Sequence, residues 1–193
     1  MNGLILKESS RGIDAFSPES SLLKKRILFF TEEFTHESSD RMIQYLLYLD
    51  LDAPGKEITI CINSPGGEVT SGLAVYDTIR TLKSPVRTVC TGTAASMASI
   101  LFLAGEKREM LPHTKIMIHD PLISGLSGSK RALELDKEAA RLMETRSIIA
   151  GIIAERSGHE LEEVYAKTKE DCFFNAQEAI GFGIATGIAD TIL

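Results

Sequence analysis

The sequence predicts an α/β protein built on a mainly parallel sheet. Short apolar runs alternate along the chain with longer segments in which apolar residues recur at helical spacing. The links between them are short, which favours right-handed crossovers between parallel strands. No linker, internal repeat or low-complexity segment interrupts this order, and 193 residues is the length of one ordinary domain. We therefore expect a single domain spanning residues 1–193.

The expected elements follow from this alternation. Strands are predicted at the apolar runs 27–30, 57–62, 86–91 and 115–118. Helices are predicted at about 42–52, at about 68–82, from Ser96 onward, and at about 129–156. A glycine-rich stretch, 124–128, precedes the last and longest of these helices. This order places several loops at the carboxyl ends of strands, where α/β proteins hold their functional sites.

Composition and charge exclude several classes of function. The formal net charge of −6 argues against a nucleic-acid or anionic-membrane partner, because both attract clustered Lys and Arg. No apolar run approaches the roughly 18 residues of a membrane span, and the N-terminus lacks the layout of a signal peptide. The three cysteines are interpreted as buried reduced thiols, and the four histidines lack the paired spacing of a metal site. These features predict a cytoplasmic protein without a bound metal.

The turn Ser-Pro-Gly-Gly follows the second predicted strand. Gly66 and Gly67 leave the backbone bare where a helix begins, so N–H groups there could hold an anion or an oxyanion. A tight strand–helix turn that needs glycine for steric reasons alone explains the same pattern. The turn is not a phosphate loop, because no Gly-Lys-Ser/Thr follows the glycines. We therefore expect no nucleotide site on this chain.

The stretch GTAASMASIL, residues 92–101, carries only small residues up to Ser96. Small side chains let another backbone approach closely. A serine at a helix start is favoured as a nucleophile by the helix dipole and by the next amide, on Met97, which points toward an oxyanion formed there. The flanking alanines exclude the Gly-x-Ser-x-Gly elbow of the α/β-hydrolases. From the residues alone, a simple N-cap serine explains the position equally well.

A serine nucleophile needs a base, and His119 is the only histidine at the end of a predicted buried strand. The others, His36, His113 and His159, lie in polar contexts where we expect them to be solvated. Asp120 is the neighbour of His119, but adjacent strand residues point to opposite faces, which predicts a turn residue rather than the partner of the base. The orienting carboxylate must come from elsewhere, and the residues leave several candidates open, among them Asp136 and Asp171.

Six motifs together resemble the ClpP family, the proteolytic subunit of the ATP-dependent Clp protease. They stand in order over nearly the whole chain: SRG at 10–12, INSPGG at 62–67, YDTI at 76–79, AASM at 94–97, MIH with a following proline at 117–121, and DxFFNAxEA with GFG at 171–183. The resemblance implies that Ser96 is the nucleophile, His119 the base and Asp171 the acid that orients the base. It also implies that the amides of Gly67 and Met97 form the oxyanion hole.

The resemblance carries further expectations about fold and assembly. It implies a ClpP/crotonase-like fold, in which residues 1–17 form an N-terminal axial segment and about 123–156 a protruding handle. It also implies two stacked heptameric rings around a proteolytic chamber, either homomeric or mixed with another ClpP-like subunit. The substrates would be unfolded proteins fed by a separate AAA+ unfoldase. That partner uses the ATP, so this chain is expected to need no cofactor.

Four stretches depart from the family pattern. Near the N-terminus, 17–21 replaces the usual Asp-Ile-Tyr-Ser-Arg, and the other three lie nearer the predicted site or in the handle. Asp120 stands where Gln is usual, 127–130 replaces the common handle motif Gln-Ala-Thr/Ser, and Lys169 and Glu170 precede Asp171 in place of Asp/Glu-Arg. None of these changes removes a member of the predicted triad. Two other functions stay open: a catalytically silent structural subunit of a mixed ring, and a crotonase-type acyl-CoA enzyme, which shares the fold and an oxyanion hole made of two amides.

Overall fold

A computed structural model describes residues 4–9, 12–122 and 131–192. The strands are β1 Ile5–Ser9, β2 Gly12–Phe16, β3 Ile27–Phe30, β4 Ile58–Ser64, β5 Val86–Ala95, β6 Lys107–Met110, β7 Lys115–Ile118, β8 Cys172–Phe174 and β9 Gly187–Ile188. The helices are α1 Pro18–Lys24, α2 His36–Asp52, α3 Val69–Thr81, α4 Met97–Ala104, α5 Ala132–Ser157, α6 Leu161–Thr168 and α7 Ala176–Gly181. The predicted glycine-rich stretch at 124–128 lies outside the described residues.

The strands of the described chain form one large sheet and one separate hairpin. The main path of the sheet runs β3-β4-β5-β6-β9, and every neighbouring pair on it is parallel. β7 adds in parallel to β5, and β8 pairs antiparallel with β7. The predicted α/β class and mainly parallel sheet are thereby confirmed. β1 and β2 form an antiparallel hairpin within the segment 1–17.

β5 is longer than the sequence predicts and has a different neighbour along each half. Its first half, Arg87–Cys90, pairs with β6, whereas its last residues, Thr93–Ala95, pair with β7. Gly92 lies between the halves, at a point where an added Cβ would lie 2.2 Å from Asn63 Oδ1. That Asn63 oxygen accepts a hydrogen bond from the Thr93 amide at 3.0 Å. A glycine is therefore required inside this strand, which continues past it and ends beside Ser96.

The core lies between the sheet and the helices α3 and α4. All residues of α4, Met97–Ala104, are buried, so this helix has no solvent-facing side. α3 comes close to it at Gly72, where an added Cβ would lie 2.2 Å from Met97 Cγ. The apolar sequence that follows Ser96 thus forms the central helix of the fold, and its packing fixes the position of its first residue.

Two arginines close the carboxyl end of α4. Arg156 donates to the carbonyl oxygens of Leu103 and Gly105 at 2.9 and 2.7 Å. Arg108 donates to the carbonyl oxygens of Ile184, Gly183, Gly105 and Arg156 at distances from 2.7 to 3.4 Å. Burial of its guanidinium lowers the pKa of Arg108 to about 10. These bonds join α4, α5 and the segment after α7 into one unit.

The long helix α5 has two different halves. It begins at Ala132, slightly later than predicted, and ends at Ser157, where Gly158 adopts a left-handed conformation at φ 80°. Near its start Leu133 is exposed, whereas Ile149 and Ile153 near its end are buried against the core. The amino-terminal half thus leaves apolar side chains uncovered in the single chain, whereas the other half anchors the helix to the core.

Several smaller elements were not predicted from the sequence. They are β1, β2, α1, β6, α6, β8, α7 and β9. Of the cysteines, Cys61 and Cys90 are buried as expected, but Cys172 is partly exposed. His159 is half-buried rather than fully solvated, because its ring stacks on Phe182 with 4.0 Å between centroids. No helix among the described residues is both long and apolar enough to cross a bilayer.

Candidate active site

Ser96 stands at the junction of β5 and α4 in an uncommon backbone conformation. Its φ is 53° and its ψ −123°, a region that non-glycine residues rarely adopt. The Ser96 amide donates to the Met117 carbonyl oxygen at 2.9 Å, which holds this turn against β7. Although Ser96 occupies the N-cap position of α4, its side chain makes no capping hydrogen bond. The simple N-cap interpretation therefore fails, since the hydroxyl points to another partner.

That partner is His119, at the end of β7. The Ser96 Oγ and His119 Nε2 atoms lie 2.8 Å apart, within the range of an O–H···N hydrogen bond. β7 brings the imidazole there because it pairs in parallel with the last residues of β5, Thr93–Ala95. The carboxyl ends of these two neighbouring strands therefore place the hydroxyl and the ring side by side.

The antiparallel register of β7 and β8 places Asp171 beside His119. Ile118 pairs with Cys172, so His119 and Asp171 are the next residues opposite each other. Asp171 Oδ1 lies 3.2 Å from His119 Nδ1. The Asp171 side chain is 63% exposed and the His119 side chain 16%. The Asp171 carboxylate thus approaches the imidazole from the solvent side. Because it is largely exposed, few neighbouring side chains hold it in place.

Two backbone amides lie at the same end of the sheet. Gly67 has φ 140° and forms a parallel bridge with Phe34, and its missing Cβ would lie 2.5 Å from the Phe34 carbonyl oxygen. Gly66 has φ 101°, and an added Cβ there would lie 2.8 Å from Ser96 Cβ and 2.9 Å from the Met97 nitrogen. Both glycines are thus required by backbone conformation and by close approach. The helix itself leaves the Met97 amide, in its first turn, without a partner.

An apolar pocket opens beside Ser96 and His119. Its walls come from α3, α4, β7 and the buried half of α5, through Val69, Met97, Ser99, Ile100, Ile118, Pro121, Ile149 and Ile153. Apart from Ser96, Ser99 is the only hydroxyl-bearing residue in this lining, and its Oγ donates to the Ser96 carbonyl oxygen at 2.6 Å. The lining next to the Ser96 hydroxyl is therefore predominantly apolar.

A family model described as Clp protease matches residues 10–192. The chain belongs to the Clp protease family. The α/β architecture, with its mainly parallel sheet and flanking helices, agrees with the ClpP/crotonase-like fold expected from the motifs. Membership supports a peptidase function in protein degradation and an oligomeric protease assembly. The matched range includes every residue of this chain that is predicted to act in the site.

The structure of this Clp protease chain brings together all five predicted site residues. Ser96, His119 and Asp171 form a chain of contacts. Gly67 follows Gly66, which lies close to Ser96 Cβ and to the Met97 nitrogen. Their roles in catalysis stay predictions. Among the described residues, no group of His, Cys, Asp and Glu is placed to bind a metal ion.

Asp120 has a role in the structure that the sequence did not predict. It points away from the triad, as strand alternation predicts, but it is more than a turn residue. Its carboxylate accepts hydrogen bonds from Arg146 Nε at 2.6 Å and from Thr168 Oγ1 at 2.5 Å. No sequence motif indicated these partners, because α5 and α6 meet β7 only in the folded chain.

Proposed function

We propose that this chain is a serine endopeptidase of the Clp protease type. Ser96 is its nucleophile, His119 its general base and Asp171 the carboxylate that orients the base. The observation that carries the proposal is the 2.8 Å contact between Ser96 Oγ and His119 Nε2. A serine hydroxyl becomes a nucleophile only when a base accepts its proton, and this distance permits the transfer.

The first half of the reaction forms an acyl-enzyme. Ser96 Oγ attacks the carbonyl carbon of the peptide bond while its proton passes to His119 Nε2. The carbonyl oxygen gains the negative charge, and the amides of Gly67 and Met97 donate hydrogen bonds to it. Asp171 accepts from His119 Nδ1–H, which fixes the tautomer with a free Nε2 and stabilises the imidazolium. His119 then gives the proton to the leaving amine as the C–N bond breaks.

The second half returns the enzyme to its starting state. A water molecule attacks the ester carbonyl and transfers a proton to His119 Nε2. The tetrahedral intermediate is held by the same two amides, and Ser96 leaves after taking the proton back from His119. No redox step or cofactor enters this cycle, and we propose that the chain needs none.

The expected substrates are unfolded polypeptides cut after apolar residues. The pocket beside Ser96 is lined by side chains such as Ile100, Ile149 and Ile153, which suit an apolar side chain next to the scissile bond. A peptide that lies along the backbone of Gly66 and Gly67 must be extended and must have free backbone groups. The segments of a folded protein already use those groups in their own secondary structure. Pairing of the peptide backbone would give binding with loose sequence preference.

We further propose that the chain works inside two stacked heptameric rings in the cytoplasm, fed by a separate AAA+ unfoldase. Family membership supports an oligomeric protease assembly. The sequence Gly66-Gly67-Glu68 lacks the lysine of a phosphate loop, which supports a separate partner as the consumer of ATP. The exposed apolar residues of α5, such as Leu133 and Met143, would be covered by another subunit in such an assembly.

The alternative functions lack comparable support. A silent subunit would have no need for a serine held at positive φ with its hydroxyl against an imidazole. A crotonase-type enzyme would act through carboxylates, whereas the pocket beside the amides is lined by apolar residues. The peptidase function therefore explains more of the geometry than either alternative.

The test is labelling and turnover by the purified assembly. A fluorophosphonate should label the wild type at Ser96, and a small fluorogenic peptide with an apolar residue before the scissile bond should be hydrolysed. Ser96→Ala should assemble normally but lose both, with turnover falling by roughly 10⁴-fold or more. If Ser96→Ala keeps about a tenth of the wild-type turnover or more, the assignment is wrong. A native mass of the assembly tests the rings separately.

A further inference from the structure

Residues 120 and 168 are joined by two hydrogen bonds. The Asp120 amide donates to the Thr168 carbonyl oxygen at 2.7 Å, and Thr168 Oγ1 donates to Asp120 Oδ1 at 2.5 Å. Thr168 is 2% exposed, so water does not compete for its hydroxyl. A buried hydroxyl donating to a carboxylate is one of the stronger hydrogen bonds in proteins. These two hydrogen bonds therefore hold residues 120 and 168 firmly together.

The contact lies directly behind the proposed triad. Asp120 follows His119 in the chain, and Thr168, the last residue of α6, lies shortly before Asp171. The last pair of the β7–β8 ladder is Ile118 with Cys172. Beyond it, the two bonds between Asp120 and Thr168 hold the backbones that carry His119 and Asp171 at a set separation. Asp171 is itself 63% exposed at its side chain, so its position depends on this backbone.

A third residue ties the contact to the long helix. Arg146 of α5 donates from Nε to the free Asp120 oxygen, Oδ2, at 2.6 Å. Its guanidinium carbon also lies 4.0 Å from the centroid of the Tyr165 ring, and the Tyr165 hydroxyl lies 3.1 Å from Ser147 Oγ. Arg146 therefore contacts both the Asp120 carboxylate and α6. A displacement of α5 would pull on the contact that holds the triad.

We propose that Asp120, Thr168 and Arg146 form a clamp that positions His119 and Asp171, with Asp120 as a positioning residue rather than a catalytic one. The clamp makes the spacing of the base and its orienting acid depend on where α5 lies against α6. This inference rests on the proposed peptidase function. It assigns a role to Asp120, which the chemical steps do not use.

The clamp is tested by variants that remove the hydroxyl or the carboxylate but leave the pocket intact. Thr168→Val should lower kcat about ten-fold or more, because a small displacement of a catalytic group is enough for such a loss. KM should stay within about two-fold, since no pocket residue changes. Thr168→Ser keeps the hydroxyl and should restore kcat. Asp120→Ala should match Thr168→Val, whereas Asp120→Asn, whose amide oxygen still accepts from Thr168, should be mild.

Two further measurements separate positioning from general destabilisation. The double variant Asp120→Ala with Thr168→Val should be no slower than Asp120→Ala alone, because that single variant already removes the side-chain hydrogen bond between the two residues. Glu163→Gln changes the opposite end of α6, where Glu163 pairs with His159 at 2.9 Å, and should leave kcat unchanged. The rate of fluorophosphonate labelling should fall in parallel with kcat, since the reagent needs the base but not the peptide pocket.

The outcomes are distinguishable. If the wild type is active and Thr168→Val and Asp120→Ala both keep kcat within about two-fold, the clamp is wrong. If Thr168→Val fails to assemble, Asp120→Ala decides alone, since Asp120 is partly exposed and its removal leaves no buried gap. If the wild type is no faster than Ser96→Ala, the peptidase function fails and the clamp with it. An Arg146→Met variant that lowers kcat less than Thr168→Val would agree with the proposal, and one that leaves kcat unchanged would overturn the coupling to α5.

Discussion

His119 and Asp171 occupy directly opposed positions at the end of the antiparallel strands β7 and β8. Their side chains lie on one face because the neighbouring pair, Ile118 and Cys172, sets the register. A slip of β8 by one residue would turn Asp171 to the other face of the sheet. The proposed base and its orienting acid are therefore coupled by strand pairing as much as by their own contact.

We expect Gly67→Ala to abolish most of the proposed activity. An added Cβ would lie 2.5 Å from the Phe34 carbonyl oxygen and 2.6 Å from the Phe34 nitrogen, both of them backbone atoms that cannot move aside. The turn would shift and take the Gly67 amide with it. Loss of one oxyanion donor lowers kcat by about 10²- to 10³-fold, and peptide turnover measures it.

Gly151→Ala is the matched control for this change. Gly151 lies inside α5, and an added Cβ there meets nothing within 4 Å. This substitution should raise the free energy of unfolding by about 0.5–1 kcal/mol and leave turnover unchanged. Equal losses of activity in the two alanine variants would contradict a specific role for the Gly67 amide.

We expect Val69 to influence which side chain fits beside the scissile bond. Val69 lines the apolar pocket from α3 and is partly exposed, so a larger residue there can be accommodated at the rim. Val69→Phe should narrow the pocket. The ratio of kcat/KM for peptides with Leu over those with Ala before the scissile bond should fall about ten-fold or more. An unchanged ratio would place the specificity pocket elsewhere.

The Glu109 carboxylate should make stability depend on pH in the acidic range. Burial opposes ionisation, but hydrogen bonds from Lys107 and Arg87 lower its pKa below the usual 4.5. A carboxylate whose pKa is lower in the folded state stabilises that state above its unfolded pKa. The stabilisation is lost as the pH falls through the folded pKa. Glu109→Gln should thus lower Tm at neutral pH.

The difference in Tm between wild type and Glu109→Gln should shrink as the pH falls below 4.5, the usual pKa of the group. Thermal unfolding over a series of buffers measures it. Glu106→Gln, at an exposed position nearby, serves as the control and should show no such trend. A constant difference in Tm across this range would mean that the ion pair with Arg87 contributes nothing to the pH dependence.

Two neighbouring serines of α2 should respond in opposite ways to alanine. Ser39 is 1% exposed, and within the described chain its hydroxyl has no hydrogen-bond partner, so Ser39→Ala should leave Tm unchanged or raise it. The Ser38 hydroxyl bonds the Thr35 amide in a capping box and the Glu33 carbonyl oxygen. Ser38→Ala should therefore lower the free energy of unfolding by about 1 kcal/mol. A similar loss in both variants would contradict the structure at Ser39.

The sequence predicted the parts of the site that depend on local pattern. The pair Gly66 and Gly67 predicts a turn. Ser96 and His119 each follow an apolar strand, so their positions at one end of a parallel sheet could be expected. Asp171 could not be chosen from the residues, because β8 has three residues and no alternating pattern. Only the resemblance to a family identified it.

The errors in the fold have similar physical causes. The sequence predicts that β5 ends at Thr91. Glycine inside a strand normally weakens it. The structure shows that Gly92 is needed there to make room for Asn63. β9 has two residues and is defined by its pairing with Glu109 and Met110, which lie far earlier in the chain. Such contacts between distant segments leave no local sequence signal.

The position of β8 and β9 near the end of the sequence has a consequence for synthesis. A nascent chain made as far as α5 already carries both Ser96 and His119. It still lacks Asp171, the partner strand of β7, and the segment that accepts hydrogen bonds from Arg108. The Ser96 hydroxyl and the His119 imidazole are therefore synthesised before Asp171, so the contact of His119 with its proposed orienting carboxylate forms only after α6 and β8 have been made.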